Sequence, residues 1–168
     1  MAKTAILVDG GFYRKKVQDF YGSKNAKEAA DELIKYCYKH IQEGDELYRI
    51  FYYDCPPISK KMYHPLTKKE VDYSKTPLFK WFNQFIDEMI NRRKVALRLG
   101  RLSEETATFI LHNATLKKLC DGEKDFRDLT EDDFVLDVRQ KGVDMKIGVD
   151  IASLAYKKQV DRIVLIAG

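Results

Sequence analysis

The hydrophobic and polar positions of this chain predict short strands that alternate with longer amphipathic helices. Apolar runs of strand length occupy residues 4–9, 47–53, 134–138 and 162–167, and residues 95–102 alternate as expected for a strand with one wetter face. Elsewhere apolar residues recur every three or four positions, which predicts helices at residues 12–21, 25–41, 77–92, 104–119 and 144–158. Alternation of this kind indicates a mainly parallel sheet with helices on both faces.

Residues that start or stop regular structure lie between these segments. Gly22 is expected to end the first helix, and Asn25 can cap the second. Pro56 and Pro57 allow neither a strand nor a helix to continue. We therefore expect residues 56–76 to form a loop.

The 168 residues are enough for one domain with a substantial core. We expect a single domain over residues 1–168, with residues 103–134 as an insertion or flap. No stretch approaches the roughly 20 apolar residues of a membrane span. The first residues lack the apolar segment and cleavage site of a secretory signal. We therefore expect a cytoplasmic protein that does not associate with membranes.

Several common kinds of site are disfavoured. The three cysteines are widely spaced and form no Cys-x-x-Cys pair, which argues against a disulfide framework and against zinc. The three histidines have no spacing typical of a metal triad or a nucleophile relay. The chain has neither a Gly-x-x-x-x-Gly-Lys-Ser/Thr phosphate loop nor a Gly-x-Gly-x-x-Gly motif. Nucleotide hydrolysis by a phosphate loop and dinucleotide redox chemistry therefore lose support.

Charge is distributed unevenly along the chain. The formal net charge is +4, but residues 121–137 hold eight acidic and two basic residues, a net of −6. The remainder therefore carries +10. Its basic residues cluster, as in Arg14-Lys15-Lys16, Lys60-Lys61, Lys68-Lys69, Arg92-Arg93-Lys94 with Arg98 and Arg101, and Lys157-Lys158. Such clusters suit a polyanionic partner, although each is also compatible with a solvated helix face or turn.

Asp9 and Asp144 are the most informative pair in the chain. Asp9 ends the first apolar run, and Asp144 opens the last predicted helix. In a parallel sheet both positions fall at the carboxyl edge, where open α/β sheets bind ligands. Carboxylates gathered there repel each other unless they are protonated or neutralised by a cation, and hard divalent cations prefer oxygen ligands. The structural alternative is that each aspartate caps the helix beside it.

Two further aspartates belong to the candidate set. Asp54 follows the second strand, where an Asx turn before the prolines is the preferred alternative. Asp150 lies on an apolar helix, where its carboxylate needs a partner such as Lys146 or a metal ion. Gly10 and Gly11 would let a ligand approach the backbone closely after the first strand.

Four motifs spread over nearly the whole chain are Val8-Asp9-Gly10-Gly11-Phe12-Tyr13-Arg14, Phe51-Tyr52-Tyr53-Asp54, Gln140-Lys141-Gly142-Val143-Asp144 with Val149-Asp150, and Val164-Leu165-Ile166-Ala167-Gly168. Together they resemble the LabA-like branch of the NYN domains, in the PIN-like nuclease superfamily. The resemblance implies a Rossmann-like (PIN-like) α/β/α sandwich and cleavage of RNA with Mg²⁺ or Mn²⁺. It implies Asp9, Asp144 and Asp150 as catalytic and metal-binding residues, with Asp54 as a further metal ligand.

RNA, in single-stranded form, is the partner that this resemblance implies. We expect Arg14, Lys15 and Lys141 to contact its phosphates, and aromatic side chains to stack a base. The candidates for stacking are Tyr13, Tyr52, Tyr53 and Trp81, although the helical spacing of Trp81, Phe82 and Phe85 is more typical of a core.

The chain departs from the family pattern at two places. Phe12 occupies a position where many NYN domains have Asn. The family also follows its last strand with Gly-Asp-Ser-Asp or a similar run, whereas this sequence stops at Gly168. We therefore expect a domain truncated at its C-terminus, with at least one further carboxylate beyond the supplied residues.

Both departures favour an alternative function, a non-catalytic NYN module that binds RNA or a protein without turnover. A metal-dependent phosphatase acting on small phosphoesters is a third hypothesis. Assembly as a homo-oligomer stays open.

Overall fold

A computed structural model describes residues 1–21 and 24–168 of the protein, and the side chains of residues 18–21 lie outside that description. Its strands are β1 (Lys3–Asp9), β2 (Glu46–Asp54), β3 (Lys61–Tyr63), β4 (Glu70–Asp72), β5 (Val95–Leu99), β6 (Arg101–Leu102), β7 (Thr108–Leu111), β8 (Phe134–Asp137), β9 (Gln140–Lys141) and β10 (Arg162–Ile166). Its α-helices are α1 (Gly10–Tyr21), α2 (Ala26–Tyr38), α3 (Pro77–Ile90), α4 (Asn113–Cys120) and α5 (Val143–Tyr156).

Four strands form a parallel central sheet in the order β10-β1-β2-β5. Val8 of β1 lies opposite Ile166 on one side and Tyr52 on the other, and Asp54 of β2 lies opposite Leu99. All four carboxyl ends therefore meet at one edge, which we call the carboxyl edge. The predicted α/β class, with a parallel sheet between helices, is confirmed.

Alternation along the strands divides the core into two clusters, one on each face of the sheet. Ile6, Val8 and Tyr52 pack with residues of α2 and α3 on the first face. Leu7 and Tyr53 pack with residues of α5 on the second face. We call these the α1–α3 face and the α5 face.

Local capping explains where two helices of the α1–α3 face begin. The Asn25 side chain accepts a hydrogen bond from the Glu28 amide at 2.9 Å, which confirms the predicted cap of α2. Thr76 caps α3 by accepting from the Phe79 amide at 3.3 Å. The predicted stop at Gly22 lies outside the described residues.

The helix predicted over residues 104–119 is wrong in its first half. Residues Thr108–Leu111 form β7 instead, and α4 begins only at Asn113. β7 pairs with β8 in an antiparallel two-stranded sheet, with Leu111 opposite Phe134. The strand predicted at 134–138 therefore exists, but it does not join the central sheet, which has four strands rather than the expected five.

The strand predicted over residues 95–102 is interrupted at Gly100. The Gly100 amide still donates to the Asp54 carbonyl of β2 at 2.8 Å, but β5 ends at Leu99. A Cβ at Gly100 would lie 2.6 Å from the Lys141 carbonyl oxygen, so only glycine permits this approach. Beyond it, β6 pairs with β9 in an antiparallel ladder.

The predicted loop at residues 56–76 contains a short hairpin, formed by β3 and β4. His64 after β3 is buried, and its ring lies 5.0 Å from that of Phe109 and 5.1 Å from that of Phe134. The hairpin and the β7–β8 sheet therefore share one small core outside the central sheet. Among the described residues, no helix has the length and apolar character to cross a membrane.

Candidate functional site

Asp9 lies at the carboxyl edge, at the junction of β1 and α1. Its Oδ1 atom accepts a hydrogen bond from the Phe12 amide at 3.1 Å, the bond that an N-cap residue makes to the third helical position. Its register partner on β2 is Tyr53, which belongs to the α5 face. Asp9 is half-buried, so it caps α1 and still has access to solvent.

Asp54 is almost fully buried, and both of its carboxylate oxygens have hydrogen-bond partners. The Arg14 guanidinium donates from Nε to Oδ2 at 2.9 Å and from Nη2 to Oδ1 at 3.0 Å. The Tyr52 hydroxyl donates to Oδ2 at 2.6 Å, and the Cys55 amide donates to Oδ1 at 2.7 Å. The cation that neutralises this carboxylate is thus an arginine, and Asp54 has no free oxygen for a metal ion.

The Arg14 side chain is held beside Asp54 by charge and by hydrogen bonds. Burial alone would lower its pKa, but the hydrogen bond and charge of Asp54 raise that pKa above the usual value. The guanidinium carbon also lies 5.3 Å from the centroid of the Phe82 ring, within cation–π distance. Arg14 therefore joins α1 to β2 and α3. The expected RNA contact would require it to leave Asp54 buried and unpaired.

Gly10 makes the close approach of α1 to β2 possible. A Cβ at Gly10 would lie 2.3 Å from the Tyr52 hydroxyl and 2.6 Å from Asp54 Oδ2. The group that approaches this glycine is thus a side chain of the protein itself rather than a ligand. The space beside Gly11 is more open, with Asp9 Oδ1 as the nearest atom at 3.4 Å.

Asp150 is held on the α5 face by a second arginine. Its Oδ2 atom accepts from the Tyr53 hydroxyl at 2.7 Å and from Arg98 Nε at 2.9 Å. Burial, followed by the hydrogen bond and charge of Asp150, raises the pKa of Tyr53 well above its usual value, so this hydroxyl remains a donor. Lys146, the partner expected from the sequence, instead donates to the Leu99 carbonyl at 2.7 Å. That expectation is wrong because the Lys146 side chain extends toward β5.

Asp144 is exposed in the first turn of α5. The structural alternative, that Asp144 caps this helix, is wrong, because Gly142 occupies the cap position with φ of 87° and α5 begins at Val143. Val143 is buried beneath it, in contact range of the end of β5. An acidic residue in the first turn is favoured by the helix dipole, and its carboxylate remains in solvent.

The carboxyl edge thus brings the four predicted aspartates into one region but gives them different environments. Within the described part of the chain, no ion pair involves Asp9 or Asp144, whereas Asp54 and Asp150 each bind an arginine. The start of α5 lies over β5, two strand positions from β1, a lateral separation of about 10 Å. Among the side chains that the structure describes, no three acidic, histidine or cysteine residues are grouped so that they could hold a metal ion.

The other predicted contacts have mixed outcomes. Lys15 and Lys141 are exposed, as an RNA contact requires. Tyr52 and Tyr53 are fully buried and therefore cannot stack a base. Trp81 stacks on Phe85, with 5.3 Å between ring centroids, and belongs to the core.

The environments of the two buried cysteines, Cys37 and Cys55, do not favour thiol chemistry. Burial raises the pKa of the Cys37 thiol to about 12. Burial and the nearby charge of Asp54 raise the pKa of Cys55 to about 11. Both thiols are therefore protonated at neutral pH and are poor nucleophiles and metal ligands.

Sequence reasoning missed a cleft whose lining includes Phe12, the residue whose amide donates to Asp9. It has a volume of about 490 Å³ and lies between α1, α2 and the end of β10. Its lysines are spread over two helices and the segment between them, so they form no run in the sequence. The signal that was available is the helical spacing of Lys35, Tyr36 and Lys39 on α2.

Comparison with known proteins gave no match: neither a protein-family model, nor a curated protein, nor a solved structure matches this chain.

Proposed function

We propose that this protein is a divalent-metal-dependent ribonuclease whose Asp9 and Asp144 carboxylates form the reactive part of the carboxyl edge. The observation that carries the proposal is the division of the four aspartates. Asp54 and Asp150 bind arginines, while Asp9 and Asp144 retain carboxylate oxygens for a further cation. The resemblance to LabA-like NYN domains implies this pair together with Asp150.

The donor set suits Mg²⁺ or Mn²⁺ only if the ion keeps most of its water. Two carboxylates are too few for an all-protein cage, but Mg²⁺ usually keeps several waters and binds through one or two carboxylates and the substrate phosphate. The chemistry that such an ion supplies is a hydroxide nucleophile and stabilisation of charge on the phosphate. Asp9 and Asp144 are the residues that would hold it.

The two arginine-bound aspartates act as positioning residues in this proposal. Asp54 holds α1 against β2 through Arg14, and it thereby fixes the position of the neighbouring Asp9. Asp150 holds α5 against the sheet through Tyr53 and Arg98, and it thereby fixes the first turn that carries Asp144. Lys141, exposed just before that turn, would contact the RNA backbone.

Cleavage of a labelled single-stranded RNA in Mn²⁺ tests the proposal. Asp144→Asn and Asp9→Asn should each reduce the rate by at least about 100-fold, whereas Asp87→Asn, an exposed aspartate on α3, should leave it unchanged. A wild-type protein that binds RNA but leaves it intact in Mn²⁺ and Mg²⁺ would overturn the proposal. Equal loss in all three variants would also overturn it.

The second candidate is a non-catalytic RNA-binding module. It is favoured by the lack of a three-residue metal group among the described residues and by the arginine pairing of two aspartates. The same assay separates the candidates, because the module binds RNA equally well with and without Mn²⁺ and gives no product. A panel of small phosphoesters tests the phosphatase hypothesis in parallel.

A further inference from the structure

The cleft between α1 and α2 is lined by two helical stripes that face each other. Lys35, Tyr36 and Lys39 lie on one side of α2, because residues three and four apart share a helix face. Phe12 and Lys16 lie on one side of α1 for the same reason. Ile166, at the carboxyl end of β10, contributes an apolar wall. The volume of about 490 Å³ is that of a small-ligand site.

The charge of the cleft is strongly positive. Four lysines and one glutamate line it, and the glutamate, Glu32, is already paired with Lys24. Lys16, Lys35 and Lys39 are exposed and make no ion pair within the described part of the chain. Three ammonium groups with no ion pair among the described residues surround one concave surface and attract an anion with several charges, and lysine is a common phosphate-binding residue in proteins.

Aromatic rings accompany these charges. Tyr36 is 38% exposed, and its ring centroid lies 5.7 Å from that of Tyr13. The Phe12 ring lies 6.0 Å from Lys16 Nζ. A basic groove with partly exposed rings is the arrangement that binds single-stranded nucleic acid, because lysines follow the phosphates and rings stack the bases. Duplexes do not offer free base faces to such rings.

The position of the cleft links it to the proposed active edge. The Phe12 side chain lines the cleft, and its amide donates to Asp9. A strand lying in the cleft would therefore continue toward Asp9 at the carboxyl edge. We propose that this cleft binds a short stretch of a single-stranded RNA, with successive phosphates on Lys16, Lys35 and Lys39 and one base against Tyr36. The inference rests on the proposed function for its choice of RNA.

The test is RNA binding without metal, so that cleavage and binding are measured separately. The probe is a fluorescent 12-nucleotide oligouridine in EDTA, followed by fluorescence anisotropy. The variant Lys35→Glu/Lys39→Glu should weaken binding at least about tenfold and reduce the slope of log K against log salt by about 1.4, or 0.7 for each lysine. Both lysines are exposed, so the fold does not depend on them.

A matched control distinguishes binding in the cleft from a general effect of net charge. Lys117→Glu/Lys118→Glu changes the net charge by the same amount, also in the last turn of an exposed helix, α4. This control should change the affinity by less than about twofold. Equal weakening by the two double variants would overturn the inference, because binding would then follow net charge alone.

Two further comparisons examine the stacking. Tyr36→Ala should weaken binding roughly 5- to 150-fold, and Tyr36→Phe should restore most of it because the ring is retained. Thermal melting monitors the fold of both variants. Affinity for a 12-base-pair duplex or for uridine monophosphate equal to that for the oligouridine would overturn the inference. Cleavage that fails while cleft-dependent binding persists would overturn only the proposed hydrolysis.

Discussion

Gly10 controls how closely α1 approaches β2, and so how Asp9 and Asp54 are arranged. A methyl group at this position would lie 2.3 Å from the Tyr52 hydroxyl and 2.6 Å from Asp54 Oδ2. Tyr52 is fully buried and cannot move aside without disturbing the core. The first residue of a helix is therefore constrained here by packing rather than by helix propensity.

Gly10→Ala should consequently destabilise the protein by roughly 1–3 kcal/mol or more, because it overpacks a filled site. Gly11→Ala is the matched control, since its nearest neighbour would be Asp9 Oδ1 at 3.4 Å. From helix propensity alone, Gly11→Ala should leave the free energy of unfolding unchanged or raise it by up to about 1 kcal/mol. Chemical denaturation measures both free energies of unfolding. Equal values for the two variants would contradict the packing argument.

Arg14 stabilises the buried Asp54 carboxylate by charge and by geometry. Arg14→Met keeps much of the aliphatic volume but leaves Asp54, 1% exposed, without its cation. We expect a loss of roughly 3 kcal/mol, the usual result when one partner of a buried ion pair is removed. Urea denaturation of Arg14→Met measures this loss. Arg101→Met, at an exposed arginine of β6, should change stability by less than about 0.5 kcal/mol.

The sequence predicted where carboxylates gather but not which cations neutralise them. Asp9 and Asp54 are located by apolar runs that end at the carboxyl edge, and Asp144 by the start of the last predicted helix; both inferences need only local periodicity. Arg14 lies 40 residues from Asp54, and Arg98 lies 52 residues from Asp150. Such pairs depend on strand order and helix placement, which spacing along the chain does not encode.

At the scale of elements, strands marked by a short apolar run were predicted well. A strand whose conformation depends on pairing with a distant segment was not. β1, β2 and β10 are short apolar runs, and their observed bounds differ from the predicted ones by at most one residue. The sequence predicts helix over β7 because the apolar positions of residues 104–119 recur every three or four residues. Its strand conformation comes from pairing with β8, more than 20 residues later. Tertiary pairing thus overrides local periodicity.

Asp133 connects the elements of this outer region. Lys124 Nζ donates to both of its oxygens, at 2.8 and 2.7 Å, and the Thr130 amide and Thr115 hydroxyl donate as well. The hydrogen bond from Lys124, followed by that from Thr130, lowers the pKa of Asp133 well below its usual value. Asp133 therefore links the acidic segment, residues 121–137, to α4 by accepting from the Thr115 hydroxyl.

This lowered pKa predicts a pH dependence. A carboxylate whose pKa is lower in the folded state stabilises the fold above its unfolded pKa, and this contribution disappears as the pH falls toward the folded value. Asp133→Asn should therefore be less stable than wild type at pH 7, and the difference should shrink below about pH 4. Asp137→Asn, exposed on β8, is the control. Thermal melts at pH 7 and pH 3 measure the difference, and a gap that is unchanged at pH 3 would contradict this account.

At the scale of the whole molecule, stability is expected to be uneven. β1 has hydrogen-bonded neighbours on both sides, and Ile6, Leu7 and Val8 within it are fully buried. The β6–β9 ladder contains only two residue pairs, and it belongs to a separate two-stranded sheet. Two-stranded ladders are marginally stable alone, because few apolar contacts oppose the entropy of opening.

Native-state hydrogen exchange should reproduce this ranking. The amides of Ile6, Leu7 and Val8 should exchange only through global unfolding, so their opening free energies should equal that from denaturation. The amides that form the β6–β9 ladder should open at least about 2 kcal/mol more easily, which corresponds to roughly 30-fold faster exchange. The low stability of the β6–β9 ladder bears on function because β9 lies just before the first turn of α5, which carries Asp144. A β6–β9 ladder as protected as β1 would mean that the Asp144 turn belongs to the rigid core, and the ranking would then be wrong.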